Sequence, residues 1–108
     1  MERGTICYTT IIGGIGHEQG TPVLVIGRTE VGARTGETIV LPISHAAPPW
    51  AYPLSWPVPA GVLQELCWVL ISRPRAALVS RLRDPVAQLD RDQLDEIVAG
   101  LRQLVSEG

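Results

Sequence analysis

Gly16-His17-Glu18-Gln19-Gly20-Thr21-Pro22-Val23-Leu24-Val25-Ile26-Gly27 is the stretch on which the reading of this chain turns. Its second half, Pro22 to Gly27, is a run of β-branched and aliphatic residues bounded by Gly and Pro, the pattern of a central strand covered on at least one side. Pro22 opens that strand, where a missing N–H costs least. The first half is a polar, Gly-bracketed loop seated on this rigid base. Binding and catalytic groups are commonly displayed in such a place, and an ordinary hairpin connection has the same composition.

Upstream, Thr5 to Ile12 is rich in β-branched and aromatic residues and predicts a first strand, stopped by Gly13-Gly14 and antiparallel to the second. Downstream, Thr29 to Gly36 contains two Gly and reads as a mobile connection to a third strand, Glu37 to Ser44, with Pro42 marking an edge or a bulge. From His45 to Gly61 there are five Pro together with Trp50, Tyr52 and Trp56, too many Pro for a helix or a central strand. The alternation of Tyr52, Leu54 and Trp56 allows a short edge strand. These aromatics suit either stacking on bases or packing over a core end or a subunit interface. Val62 to Glu65 reads as a turn of helix, Leu66 to Ile71 as a fourth strand and Ala76 to Ser80 as a fifth.

The last element is an amphipathic helix from residue 91. Leu94, Ile97, Val98, Leu101, Leu104 and Val105 recur at spacings of 3, 1, 3, 3 and 1, forming one apolar stripe. Asp90 is the N-cap, Gln93 completes a capping box, and Leu89 with Leu94 forms a hydrophobic staple. Strands crowded before one terminal helix predict a mainly β fold with a C-terminal α-helix, a small curled sheet or barrel in one domain over residues 1–108.

Composition narrows the function classes. Hydrophobic residues are 45% and charged residues 19%, a globular balance, and no segment approaches the roughly 20 apolar residues of a membrane span. The N-terminus enters a strand-like run without an apolar leader region, which places the protein in the cytoplasm. Cys7 and Cys67 lie inside apolar runs without metal-ligand spacing and read as buried reduced thiols; no metal and no cofactor is implied. All nine basic residues are Arg, and the net charge of −2 argues against a surface that binds nucleic acid throughout. The charge is uneven, however. Arg73, Arg75, Arg81 and Arg83 fall in eleven residues free of acids, a local basic patch, whereas Asp84 to Gly108 carries six acids against two Arg.

In order and spacing these motifs resemble the MazF/PemK toxins of type II toxin–antitoxin systems, small dimeric endoribonucleases with an SH3-like barrel and a C-terminal helix. Arg3-Gly4-Thr5-Ile6 is similar to that family's opening RGDIW, and Gly16-His17-Glu18-Gln19 with Pro22-Val23-Leu24-Val25 is similar to its GHEQ and RPVLVV. Val40-Leu41-Pro42-Ile43-Ser44 resembles VVPITS, Cys67-Trp68-Val69-Leu70 resembles SWVL before a QIRTV strand, and Leu89 with the helix from Asp92 resembles the closing LSPEEL. Two departures stand out. The family's Arg before the Pro of the second strand, taken to stabilise the scissile phosphate, is Thr21 here in a shortened loop, and Gln-x-Arg becomes Arg73-Pro74-Arg75.

The resemblance implies a toxin that cleaves single-stranded RNA sequence-selectively without metal, as a homodimer held by a cognate antitoxin, away from membranes. Such cleavage needs a base for the 2′-hydroxyl, an acid for the leaving 5′-oxygen and donors on the phosphorane. Ser44, Glu18 and His17 are the candidates for catalysis, and Gln19, Thr21, Arg28, His45, Arg73 and Arg75 the candidates for RNA binding. The alternative is a weakened or non-catalytic relative of the same fold, which binds an antitoxin peptide or poisons a target as the similarly folded CcdB toxins do. Thr21 favours the second reading; Glu18, Gln19, Ser44 and Arg75 favour the first.

Overall fold

Ile6, Leu24, Leu41 and Ile43 point to one side of a common sheet, and Cys7, Val23, Val25 and Val40 point to the other; all are buried. Unbroken apolar runs occur where both faces of a strand are covered, which is why the run Val23-Leu24-Val25 shows no polar alternation. The computed structural model describes residues 1–9 and 20–106. Its first strands are β1 (Thr5–Thr9), β2 (Thr21–Val25) and β3 (Glu37–Ser44), all antiparallel, with Cys7 opposite Val23 and Val23 opposite Pro42. The predicted β1 residues Thr10 to Ile12 lie outside the described residues.

β3 changes partners along one edge. Residues 37–40 pair with β6 (Arg75–Leu78), and Ile43 and Ser44 pair with β5 (Trp68–Val69), which pairs in turn with β4 (Trp56–Pro57). Pro42 sits at this switch, its carbonyl accepting from Leu70 N at 2.9 Å, so its missing N–H falls between two ladders instead of ending the strand. β7 (Leu82–Gln88) pairs with β1 on the far side. A three-residue 3-10 turn, Val79–Arg81, links β6 to β7 and so joins the two margins of β6-β3-β2-β1-β7, curling the sheet. Among the described residues no β6–β7 ladder closes the barrel.

The terminal helix α2 (Arg91–Val105) matches expectation, including the start and the reciprocal capping box: Asp90 Oδ1 accepts from Gln93 N at 2.8 Å, and Asp90 N donates to Gln93 Oε1 at 2.9 Å. Leu94 and Ile97 enter the core beside Leu89, while Leu104 and Val105 stay exposed, so the apolar stripe is buried at its start only. The Pro-rich segment straps this helix: the Tyr52 hydroxyl donates to Glu96 O at 2.8 Å, and Trp56 is buried. That is the packing role; Trp50 remains half exposed. The Tyr52–Pro53 bond is cis.

Several expectations are corrected. Thr29–Thr35 is a helix, α1, not a mobile connection; it ends on Gly36 at φ 77°, where a left-handed residue is needed. Residues 62–65 form turns, not a helix, and Leu63 bridges to Ala60. The fourth strand shrinks to Trp68–Val69, the edge strand lies at Trp56–Pro57, and β7 was not expected. β7 carries a bulge opposite Ile6 to Tyr8, with Asp84 at φ 56°, a region Asp tolerates better than most residues.

Gly27 closes the β2 end. Ile26 N and Gly27 N both donate to Ile39 O, at 3.0 and 3.1 Å. A Cβ at Gly27 would overlap the Thr38 hydroxyl and stand 2.8 Å from Ile39 N. Gly27→Ala therefore forces backbone movement, with an expected cost of about 1–3 kcal/mol and a fall in melting temperature of roughly 5–15 °C. An unchanged thermal melt would show that this corner is not tight.

Candidate functional site

Side chains alternate across a strand, so the ends of β1, β2 and β3 present two different surfaces. On the side of Cys7, Val23 and Val40, a cleft of about 320 Å3 is lined by Thr9, Thr21, Pro42, Arg75 and Arg81. Thr9 and Thr21 are directly paired, and Arg75 is opposite Val40. Extending the β2–β3 register by two residues sets Thr21 level with Ser44. Ser44 lines an adjoining cleft of about 240 Å3 with Trp50, Ser72 and Arg73. Thr21 and Arg75 thus share one cleft and Ser44 and Arg73 another, and the level register of Thr21 with Ser44 brings the two clefts to the same strand ends.

The two arginines come from either side of the link between β5 and β6. The link turns at residues 70–73, where Arg73 N donates to Leu70 O at 3.2 Å, and β6 pairing with β3 turns Arg75 onto the cleft side. Among the described residues neither Arg73 nor Arg75 has an ion-pair partner. The Ser44 hydroxyl is engaged locally, donating to Ala46 O at 2.9 Å and accepting from Ala46 N at 3.1 Å. Release of that donated bond frees its proton for a ligand at no burial cost, because the turn is solvent-exposed.

His45 follows Ser44 and points to the other side, where its Nδ1 lies 3.4 Å from Glu65 Oε2. It does not join the arginine cleft. Arg28 does not either: it lies seven residues beyond Thr21, roughly 20 Å along the strand direction, in a cleft with Arg3, Val31 and Arg102. His17, Glu18 and Gln19 lie outside the described residues; the chain leaves at Thr9 and returns at Gly20, both at this end of the sheet. Thr9 and Arg81 are the lining residues that sequence reasoning did not place. The clustering of Arg73, Arg75, Arg81 and Arg83 was the signal available for Arg81.

Cys7 and Cys67 are free and buried, and desolvation pushes both thiols up from their usual value, with Glu65 adding to the rise at Cys67. They are held as inert thiols. Among the described residues no three His, Cys, Asp or Glu side chains lie close enough to hold a metal ion, and no helix is long and apolar enough to cross a membrane.

A curled antiparallel sheet, strapped by a terminal helix and presenting arginines and hydroxyls at its strand ends, defines a small β protein equipped to bind an anionic ligand. The chain belongs to the family described as PemK-like, MazF-like toxin of type II toxin-antitoxin system, whose model matches residues 2–105. Among solved structures, MazF in a MazE–MazF complex from Deinococcus radiodurans is similar at a TM-score of 0.79 and 21% identity, covering 100% of this chain and 97% of that one. A MazF structure from the same organism reaches 0.75 and 27% identity, over 97% and 96% of the two chains. An endoribonuclease in complex with its cognate antitoxin, from a mycobacterial species, reaches 0.77 at 13% identity, over 100% and 99%. No curated protein matches this chain.

Proposed function

We propose that this toxin-family protein is a metal-independent endoribonuclease that cleaves single-stranded RNA as a homodimer and is silenced by a cognate antitoxin bound over the same cleft. The observation that carries this reading is the cleft that Thr21 and Arg75 share, with Ser44, level with Thr21, and Arg73 in a second cleft at the same strand ends. In the proposed reaction the 2′-oxygen of a nucleotide bonds to its own 3′-phosphorus while the bond from phosphorus to the next 5′-oxygen breaks. The proton leaves the 2′-hydroxyl and one is delivered to the 5′-oxygen. Arg75 and Arg73 hold the charge that builds on the non-bridging oxygens, where each preorganised donor contributes most. Ser44 and Thr21 donate hydroxyl hydrogen bonds to the same oxygens. Proton transfer falls to Glu18 or His17.

Incubation of pure protein with a long unstructured RNA in chelator is expected to give discrete fragments, and Ser44→Ala to slow their appearance by about 10- to 100-fold, the loss of one hydroxyl donor. Intact RNA at high protein concentration would overturn the catalytic reading. A second reading, a binding protein without catalysis, draws on the same geometry: residue 21 carries no charge and the Ser44 hydroxyl is tied into its own turn. It becomes the better account if the protein binds RNA or an antitoxin peptide but cuts nothing.

The proposed homodimer rests on large apolar residues left exposed, Trp50 and, at 76%, Leu66. Light scattering at micromolar concentration is expected to give about twice the chain mass of 11.7 kDa. A value near one chain mass would remove the dimer from the proposal.

A further inference from the structure

The strand ends have a second side, and we propose that it is a nucleobase pocket which reads an amino-bearing base next to the cut, an inference that rests on the ribonuclease reading. A cleft of about 560 Å3 opens there between the β1–β2 pair and the turns of residues 62–65, with Tyr8, Pro22, His45, Gln64 and Glu65 around a floor that includes Ile6. Its walls are sequence neighbours of the residues that line the arginine clefts: Tyr8 beside Thr9, Pro22 beside Thr21, His45 beside Ser44. One residue separates the two surfaces at each of three strand ends. An RNA strand with its phosphate held on the arginine side therefore meets this cleft with a flanking nucleotide.

The chemistry selects a base over other occupants. Tyr8 and Pro22 are paired across β1 and β2 and give a flat apolar surface of the kind on which unstacked bases rest. Gln64 brings an amide with donors and an acceptor, and Glu65 brings a carboxylate whose side chain is 76% exposed. His45 Nδ1 stands 3.4 Å from that carboxylate. A carboxylate accepts from the exocyclic amino group of cytosine, adenine or guanine, whereas uracil offers no such donor. The same charge repels a phosphate or an acidic peptide, so the cleft takes the base and leaves the backbone to the arginines.

The test uses Glu65→Gln and Gln64→Ala, neither of which touches the arginine cleft, in the full-length protein. Fragment ends from a random-sequence RNA are expected to show a preference for an amino-bearing base at one position beside the cut. Glu65→Gln is expected to weaken that preference about tenfold. An unchanged preference in both variants, with RNA still cut, overturns the pocket and leaves the ribonuclease reading standing. Where the protein cuts nothing, anisotropy with 2′-O-methyl oligonucleotides that differ at one base gives the answer. A selective loss for the amino base in Glu65→Gln supports the pocket, and equal affinities overturn it. Absence of any RNA binding, or protection of Tyr8 by an acidic peptide alone, overturns it together with the RNA reading.

Discussion

Arg75→Ala is expected to lower the rate of RNA cleavage by about 10²- to 10³-fold, and Thr21→Arg in the same chain to restore part of the loss. Family members carry the phosphate cation at the position held here by Thr21, and the structure puts Arg75 in the same cleft as Thr21. On the proposed ribonuclease reading, Arg75 holds the charge that residue 21 does not. A guanidinium at either position can bond two phosphate oxygens at once, which a threonine hydroxyl cannot. Added to the unaltered protein, Thr21→Arg is expected to raise the rate by less than it rescues, because a second cation in a cleft already served by Arg75 meets like-charge repulsion. The measurement is the single-turnover rate of all three variants on one RNA in chelator. A rate unmoved by Arg75→Ala, with a large gain from Thr21→Arg alone, would show that the cation was simply lost and that β6 does not replace it.

The parts of the fold legible in the sequence are those whose stability is written locally. β2 and β3 show runs rich in β-branched and aliphatic residues, and α2 shows its cap, staple and stripe, so their limits agree with expectation to within two residues. α1 carries no such mark: at seven residues it is too short to stand alone, and it forms because Gly32 lets it lie against Val79 and Thr38. β7 was hidden by Arg83-Asp84-Pro85, which reads as a turn; pairing with β1 overrides that signal, and the bulge at Asp84 absorbs the misfit.

The site divides along the same line. That Ser44 and His45 point to opposite sides follows from strand alternation alone. That Arg75 shares a cleft with Thr21, fifty-four residues away in sequence, depends on the β2–β3–β6 register, which no local pattern records. Arg28 is a cation that could supply charge, yet strand direction carries it to the opposite end. The same register explains why a basic patch in an acidic chain is useful. Arg73 and Arg75 are concentrated where β3 changes partners, and α2, which bears three of the six C-terminal acids, packs on the other face of the sheet.

Removal of residues 91–108 is expected to abolish cooperative folding. Leu94 and Ile97 are buried in the main core cluster, and Val98 and Leu101 pack partly against it. At about 1.5–3 kcal/mol for each fully buried side chain and roughly half that for each partly buried one, the helix contributes about 5–9 kcal/mol, comparable with the whole stability of a small domain. Its loss also strips cover from Ile71, which stands against Gly100, and removes the Glu96 carbonyl that accepts from Tyr52. Because a truncated chain that fails to express gives no number, point variants supply the gradient along the helix. Ile97→Ala is expected to cost about 2–5 kcal/mol, since it leaves a cavity at a fully buried position. Val105→Ala, at a residue 72% exposed, is expected to stay within about 0.5 kcal/mol. Urea titration of the two variants reads this difference directly. Equal costs at the two positions, or a truncated protein that melts where the full chain does, would mean that α2 is not the element that holds the sheet shut.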